Sequence, residues 1–325
     1  MEASAPPRRV GLTIPLVSRP LNEQQQVVET AAALGYTDLW SSETAEADAF
    51  APLAQAAVWA PELRLGTAIV PVYTRGPAVL AMSFAALAQM APGRFVAGIG
   101  ASSPAIVEAW NGVPFERPWY RVRDTIRFLR AAMGGEKVSE RYETFAVEGF
   151  RLGYVPAEPP PIYVAALREG MLRLAGREGD GAILNWLSAE DVRKVAPIVR
   201  ETDPGKEIVA RIFVAPSEDE EEVRAQASRF IAAYLSVPAY AAYQDWLGRG
   251  EALREMWDAW AAGDRKRAVA AVPQEIVDEL FVFGSPASCR EQIQAYVEAG
   301  VSTPVVMLMP WGIDQYEGLE ALGRL

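Results

Sequence analysis

The 325-residue chain contains no histidine. That excludes a Ser-His-Asp triad, an imidazole general base and any imidazole metal ligand. It contains one cysteine, Cys289, so neither an internal disulfide nor a cysteine-based metal site is open to it. Positive charge is short: 31 Lys and Arg stand against 42 Asp and Glu, a net charge of −11. Such a chain is a poor general partner for nucleic acid or an anionic membrane. No apolar run reaches about 18 residues, the length of a membrane span. Met1 to Arg9 lacks the apolar centre of a signal peptide, so the cytoplasm is the expected location.

What the chain does have is apolar residues, 50% of the total, enough for a large core. Its organising stretch is Arg94-Phe95-Val96-Ala97-Gly98-Ile99-Gly100-Ala101-Ser102-Ser103-Pro104. Phe95, Val96 and Ile99 suit a buried strand. Gly98 and Gly100 allow another group to approach the backbone. Pro104 suits the first turn of a following helix. A strand, a small-residue loop and a helix in that order can hold an anion or a flat ring, or form a plain tight turn. The third glycine of the dinucleotide fingerprint is absent, Ser103 standing in its place.

Around this stretch, apolar strands and amphipathic helices alternate. Strands are expected at Val10–Pro15, Thr37–Ser42, Arg64–Pro71, Ile162–Ala166, Ala182–Asn185, Ile208–Ala215 and Pro304–Met309. Asn22 with Gln25 predicts a capping box, as does Ser188 with Asp191. Ser217 opens a helix with an acidic first turn. The helix from Gly76 to Met90 is apolar nearly all round. Thr144–Leu152 reads as an irregular hairpin or loop. Eight strand-helix units favour an α/β fold, a closed (β/α)8 TIM barrel, as one domain over 1–325. A typical barrel takes about 250 residues. The surplus lies around 140–160 and at 232–283, so the latter, after strand seven, is expected to be a helical, lid-like insertion.

In such a barrel the site lies at the C-terminal ends of the strands. The residues there include Ser42, Glu43, Ala68, Ile69, Gly100, Ala101, Ser102, Ala165, Ala166, Arg168 and Asn185. This set, mostly small and neutral, suits a large planar cofactor better than an acid–base pair. Glu43 is placed to accept a hydrogen bond from a ring N–H or a hydroxyl, or is a plain loop acid. Leu167, Arg168, Glu169, Gly170 and Met171 offer backbone N–H groups and a guanidinium to a phosphate. Arg75 is a second strand-end cation, and Asn185 can meet a cofactor hydroxyl. Of the tryptophans at 110, 119, 186, 246, 257 and 260, Trp186 is best placed to wall an apolar pocket.

Leu65-Gly66-Thr67-Ala68-Ile69, Tyr73-Thr74-Arg75-Gly76-Pro77, Gly98-Ile99-Gly100, Ile162-Tyr163-Val164-Ala165-Ala166 and Gly179-Asp180-Gly181 occur in this order. Together they resemble the bacterial luciferase-like superfamily, over roughly 10–215 and again from 283. Within it the pattern is similar to the deazaflavin (coenzyme F-420)-dependent oxidoreductases. The resemblance implies a TIM barrel and hydride transfer at the ring of a bound deazaflavin. It also implies a cis Ala68–Ile69 peptide against the cofactor, contact from Glu43, and backbone loops at Gly100–Ser103 and Ala166–Met171. The sugar-phosphate dehydrogenases of that branch carry a histidine where this chain has Thr44, and a glutamate where it has Ser103. Their acid–base pair is absent, so their substrate is not implied and no catalytic residue is assigned.

The leading reading is therefore hydride transfer between coenzyme F-420 and a small organic substrate. The alternatives are a monooxygenase using flavin mononucleotide (FMN), or a non-catalytic flavin-binding barrel. The assembly is left open, a homodimer included.

Overall fold

The computed structural model describes residues 9–325. Met1–Arg8 and the leader question they bear on lie outside the described residues. The chain begins β1 (Gly11–Thr13), α1 (Gln24–Ala33), β2 (Asp38–Ser41), α2 (Phe50–Trp59) and β3 (Arg64–Thr67). A two-residue continuation, β4 (Val70–Pro71), leads to α3 (Pro77–Met90), β5 (Phe95–Gly100) and α4 (Pro118–Met133). β6 (Val138–Arg141) and β7 (Ala146–Phe150) pair antiparallel with a register shift between Val138 and Glu140, so the hairpin is irregular as expected and begins slightly earlier. Alternation resumes with β8 (Ile162–Ala165), α5 (Glu169–Glu178), β9 (Gly181–Leu184), α6 (Ala189–Val199) and β10 (Glu207–Ala215). Next come α7 (Glu220–Tyr234), α8 (Pro238–Leu247), α9 (Gly250–Ala261), α10 (Arg265–Ala270) and α11 (Gln274–Leu280). β11 (Phe281–Phe283), α12 (Pro286–Ala299), β12 (Thr303–Leu308) and α13 (Gln315–Leu322) complete it.

Eight parallel strands close into a barrel in the order β1-β2-β3-β5-β8-β9-β10-β12, with β12 returning to β1. The TIM barrel expected from the alternation is the observed fold. Trp40, Val96, Tyr163, Ile183, Val209 and Val305 fill the barrel interior. The Trp40 indole fits because Gly66 faces it: a Cβ on Gly66 would lie 2.3 Å from the ring. Below this layer Arg64, Asp38, Glu207, Thr303 and the Tyr163 hydroxyl form one hydrogen-bonded plug.

Two local expectations change. Asn22 caps nothing: Leu21–Glu23 form a 3-10 turn and α1 starts without a side-chain cap. The buried Gln24 side chain instead holds Leu16 and the Arg19 carbonyl. The α7 cap is Asp219, not Ser217, because the Asp219 carboxylate accepts the Glu222 N–H. At α6 the Ser188–Asp191 capping box is present as expected.

The insertion is also longer than expected. α7 packs on α9, α10, α11 and β11, while α12 takes the outer-layer place beside α6 and α13. The extra segment thus runs from Glu220 to Leu280. Its apolar face joins Trp186, Phe213 and Ala215, at the C-terminal ends of β9 and β10. Gln244 Nε2 donates to the Trp186 carbonyl at 2.7 Å, and Arg249 meets Asp191 at 2.7 Å, tying the segment to the barrel. Among the described residues no helix is long and apolar enough to cross a membrane.

Candidate active site

The barrel interior changes character at its C-terminal mouth. The Trp40–Tyr163 layer is buried, with ring centroids 6.4 Å apart. Above it Thr13, Ala68, Ile69, Ala101, Ser102, Ala165, Asn185 and Met307 are only half-buried. Of these, Thr13, Ala68, Ala101, Ser102 and Ala165 are short, so the backbone there is only thinly covered. Ala68 and Ile69 pack on the buried layer, and the peptide between them is cis, as the family resemblance implies.

The two glycines of the organising stretch admit close approach, as expected, and the groups that approach belong to the chain itself. A Cβ at Gly98 would lie 1.8 Å from the Thr67 carbonyl oxygen. The group that approaches Gly98 is thus the chain's own third strand, not a ligand. A Cβ at Gly100 would meet the Ala165 Cβ at 2.9 Å and the Ile69 side chain at 3.1 Å, so that glycine also serves packing. The loop that follows bends at Ser102, whose φ is 66°, and Pro104 leads into a π-helical turn over Ala105–Trp110.

Glu43 and Arg75 are brought together. Arg75 Nη2 donates to Glu43 Oε1 at 2.8 Å, and the guanidinium lies 4.5 Å from the Phe50 ring centroid. The backbone N–H of Glu43 donates to the Ile69 carbonyl at 3.1 Å, fixing the acid beside the cis peptide. Arg168 precedes α5 in extended backbone and is exposed, as are Glu169 and Gly170. Leu167 and Met171 are half-buried and Ala166 is buried. Trp119 Nε1 donates to the Gly170 carbonyl at 3.0 Å and braces this loop.

Asn185 ends β9, and its Oδ1 accepts the Trp186 N–H at 3.0 Å. Trp186 itself is 1% exposed and has a φ of 57°. It is a buttress beneath an aromatic cluster rather than an open pocket wall. Its ring packs on Phe213 at 4.6 Å, Tyr234 at 5.2 Å, Phe230 at 5.3 Å and Tyr240 at 6.3 Å. Phe230, Tyr234, Tyr240 and Trp311 keep partly exposed faces. Of the other tryptophans proposed from sequence, Trp257 and Trp260 pack within the insertion, and Trp110 and Trp246 are exposed.

Arg211 was not singled out in the sequence. Ile208, Ala210, Ile212 and Val214 of β10 face the helices, and Val209 faces the barrel interior. The same alternation turns Arg211 inward at the mouth. Glu46, on the loop after β2, senses that cation. Burial opposes ionisation of Glu46, but the Thr44 hydroxyl, the Ala45 N–H and Arg211 hold its carboxyl below the usual range.

A separate cleft of about 490 Å³ lies outside the barrel between α6, the end of α8, α11, β11 and α12. Its Arg249 is already paired with Asp191 and Glu279, each at 2.7 Å. Those charges satisfy one another.

A flat tricyclic ring fits the mouth on one observation. The short inward side chains form a shelf above the buried layer, and at its edge Thr13 Oγ1 is buried without a hydrogen-bond partner.

These features define a barrel enzyme whose mouth is lined by small, half-buried side chains beside a Glu43–Arg75 pair. The chain belongs to the luciferase-like monooxygenase family, whose profile matches residues 5–303. It is 28% identical over 274 residues to the 5,10-methylenetetrahydromethanopterin reductase of Archaeoglobus fulgidus, covering 81% of each chain. It is 29% identical over 277 residues to the F-420-dependent glucose-6-phosphate dehydrogenase of Rhodococcus erythropolis, covering 81% of this chain and 77% of that one. The fold matches the coenzyme F-420-dependent tetrahydromethanopterin reductase of Methanopyrus kandleri with a TM-score of 0.78 at 20% identity, over 97% of both chains.

Proposed function

We propose that the chain is a coenzyme F-420-dependent oxidoreductase acting on a small organic substrate at the C-terminal mouth of the barrel. The observation that carries the reading is the shelf of short, half-buried side chains above the Trp40–Tyr163 layer. The F-420 dependence of the named relatives supports it. When bound, the deazaflavin donates or accepts a hydride at its central ring. Ala68, Ile69, Gly100, Ala101 and Ser102 would support that ring. The N–H groups of Leu167–Gly170 and the exposed Arg168 would hold its phosphate, since those of Ala166 and Met171 already donate to the Ile183 and Arg168 carbonyls. Glu43, fixed by Arg75, would accept a hydrogen bond from the ring edge, and Asn185 would meet a hydroxyl. The helices from Glu220 to Leu280 cover the ends of β9 and β10 and would act as a wall or lid.

Titration of the full chain with coenzyme F-420 and with FMN tests this, followed by a substrate screen with the reduced deazaflavin. The expected result is deazaflavin binding, no FMN binding, and turnover. Binding of FMN in place of the deazaflavin would favour flavin-dependent oxygen chemistry. Deazaflavin binding without turnover of any substrate would favour a non-catalytic carrier.

We also propose a homodimer joined through α2 and α3. These neighbouring outer helices contain no charged residue, in a chain of net charge −11. Val58 is 70% exposed, Met82 50%, Val79 46% and Met90 42%. Gln55 Oε1 is buried there without a partner. Two copies of an acidic chain repel, so they meet most favourably on an uncharged apolar face. We place the enzyme in the cytoplasm, a reading supported by its single, free, buried thiol at Cys289.

A further inference from the structure

The barrel mouth holds one cation that neither the fold nor the proposed cofactor contacts employ. Arg211 is half-buried on the inward face of β10, its guanidinium 5.7 Å from the Phe213 ring centroid. No hydrogen bond or ion pair among the described residues includes it. Most of the chain's other arginines with buried faces are paired, as Arg64 is with Glu207 and Arg249 with Asp191. A guanidinium that loses hydration without gaining a partner is unfavourable, and an oxyanion brought by a ligand removes that penalty.

The surroundings specify the oxyanion. Asn185 follows the neighbouring strand β9, and Tyr240 of α8 packs on the adjoining Trp186 ring at 6.3 Å. Burial keeps that phenol protonated, although Arg211 and Asn185 work in the opposite direction, so the hydroxyl is a hydrogen-bond donor at neutral pH. Glu46, exposed on the loop after β2, carries a carboxylate that the Arg211 charge helps to hold below the usual range, and this negative charge disfavours a second one on the ligand. The rest of the wall is apolar: Met307, Phe230, Tyr234 and Trp311 are all half-buried.

We infer that Arg211 is a specificity-determining residue that receives the carboxylate of an apolar carboxylic acid, with Tyr240 as a neutral donor and the aromatic wall taking the apolar body. The inference rests on the mouth being the substrate site of the proposed oxidoreductase. One cation with a neutral donor matches a monoanion, and the aromatic wall suits an apolar body.

Isothermal titration of the full chain with benzoate, benzyl alcohol and inorganic phosphate tests it, on wild type and on R211Q and R211M. Benzoate should bind wild type and weaken by about tenfold or more in both variants, the effect of losing a charge-assisted hydrogen bond. Benzyl alcohol should bind weakly and alike in all three proteins. Coenzyme F-420 affinity should change by less than about twofold, since the guanidinium is not assigned to the cofactor. Equal benzoate affinity in wild type and variants overturns the inference, as does absence of benzoate binding by wild type. Phosphate binding tighter than benzoate overturns the monocarboxylate assignment. Deazaflavin binding with Arg211-independent benzoate binding sinks this inference alone. Arg211-dependent benzoate binding without deazaflavin binding sinks the cofactor reading alone. Circular dichroism checks that each variant is folded, and R211K, which keeps the charge, should retain part of the benzoate affinity.

Discussion

Arg64 and Glu207 face each other across the bottom of the barrel through two hydrogen bonds, Nη2 to Oε1 at 2.6 Å and Nη1 to Oε2 at 2.9 Å. The residues lie on β3 and β10, two strands that are not neighbours, so the pair braces the ring across its interior. Burial alone would raise the Glu207 carboxyl. Arg64, with the Thr303 and Tyr163 hydroxyls, outweighs that and holds it at about 2.

That depression fixes the sign of a pH effect. A carboxyl held below its unfolded value contributes stability above that value and loses it as pH falls. The barrel should lose stability between the ordinary glutamate range, about 4.3, and about 2. Glu207→Gln should cost about 2–3 kcal/mol at neutral pH, less than the figure for a fully buried pair because the carboxylate keeps some exposure. Urea denaturation at pH 7 and pH 3 checks both. A variant whose stability falls as steeply with acid as wild type would remove Glu207 from the account.

Gly98→Ala should be poorly tolerated. Thr67 Oγ1 accepts the Gly98 N–H at 2.8 Å and donates to the Gly98 carbonyl at 2.7 Å. The added methyl would occupy the space of the Thr67 carbonyl, so β3 or β5 must shift and both bonds weaken. A loss of about 3 kcal/mol or more is expected, at the upper end for overpacking. A variant with a wild-type denaturation midpoint would mean that the strands separate at little cost.

The barrel strands were legible because each is an apolar run between turn residues, and their count pointed to closure. Arg211 was hidden for the same reason. Ile208–Ala215 reads as one apolar run, and only the alternate positions 209, 211 and 213 reveal an inward charge. α7 has the period of any outer-layer helix, so sequence gives no sign that it joins the insertion; its packing with Trp186 does. Asn22 had the right spacing for a cap, but Gln24 has tertiary partners at Leu16 and Arg19, and these fix the turn instead. Glu43 and Arg75 were each visible as strand-end charges, whereas their pairing depends on how two loops meet.

Met82→Glu should dissociate the proposed dimer. It places a charge on an α3 position that is half exposed in the single chain and would be buried between copies. Sedimentation velocity should show monomers for this variant and dimers for wild type, with equal thermal stability of the barrel. A wild type that sediments as a monomer at tens of micromolar would end the proposal.

Arg168→Ala should weaken a phosphate-bearing deazaflavin by about 1–3 kcal/mol, the usual cost of a charge-assisted hydrogen bond. The dephosphorylated cofactor should bind wild type and variant alike. Arg168 is exposed at the start of α5, so the substitution leaves no cavity and the folded chain should be unaffected. An equal loss for both cofactor forms would place Arg168 away from the phosphate.

Glu43→Ala should weaken deazaflavin binding by about 1–3 kcal/mol, and the Arg75 pair decides how that loss is read. Glu43 Oε1 accepts from both Nε and Nη2 of Arg75, at 3.2 and 2.8 Å. Those bonds leave Oε2 for a ligand. If Oε2 contacts the cofactor, Glu43→Ala should still cost affinity after Arg75→Ala, because the acceptor is lost in either background. If Glu43 only neutralises Arg75, the two single variants and the double variant should bind alike. A double-mutant cycle on cofactor affinity separates these cases, since residues in direct contact show a coupling of about 0.5–3 kcal/mol. The expected outcome is a loss for Glu43→Ala in both backgrounds, smaller when Arg75 is absent because the guanidinium no longer fixes the carboxylate. No loss in the Arg75→Ala background would take Glu43 off the cofactor.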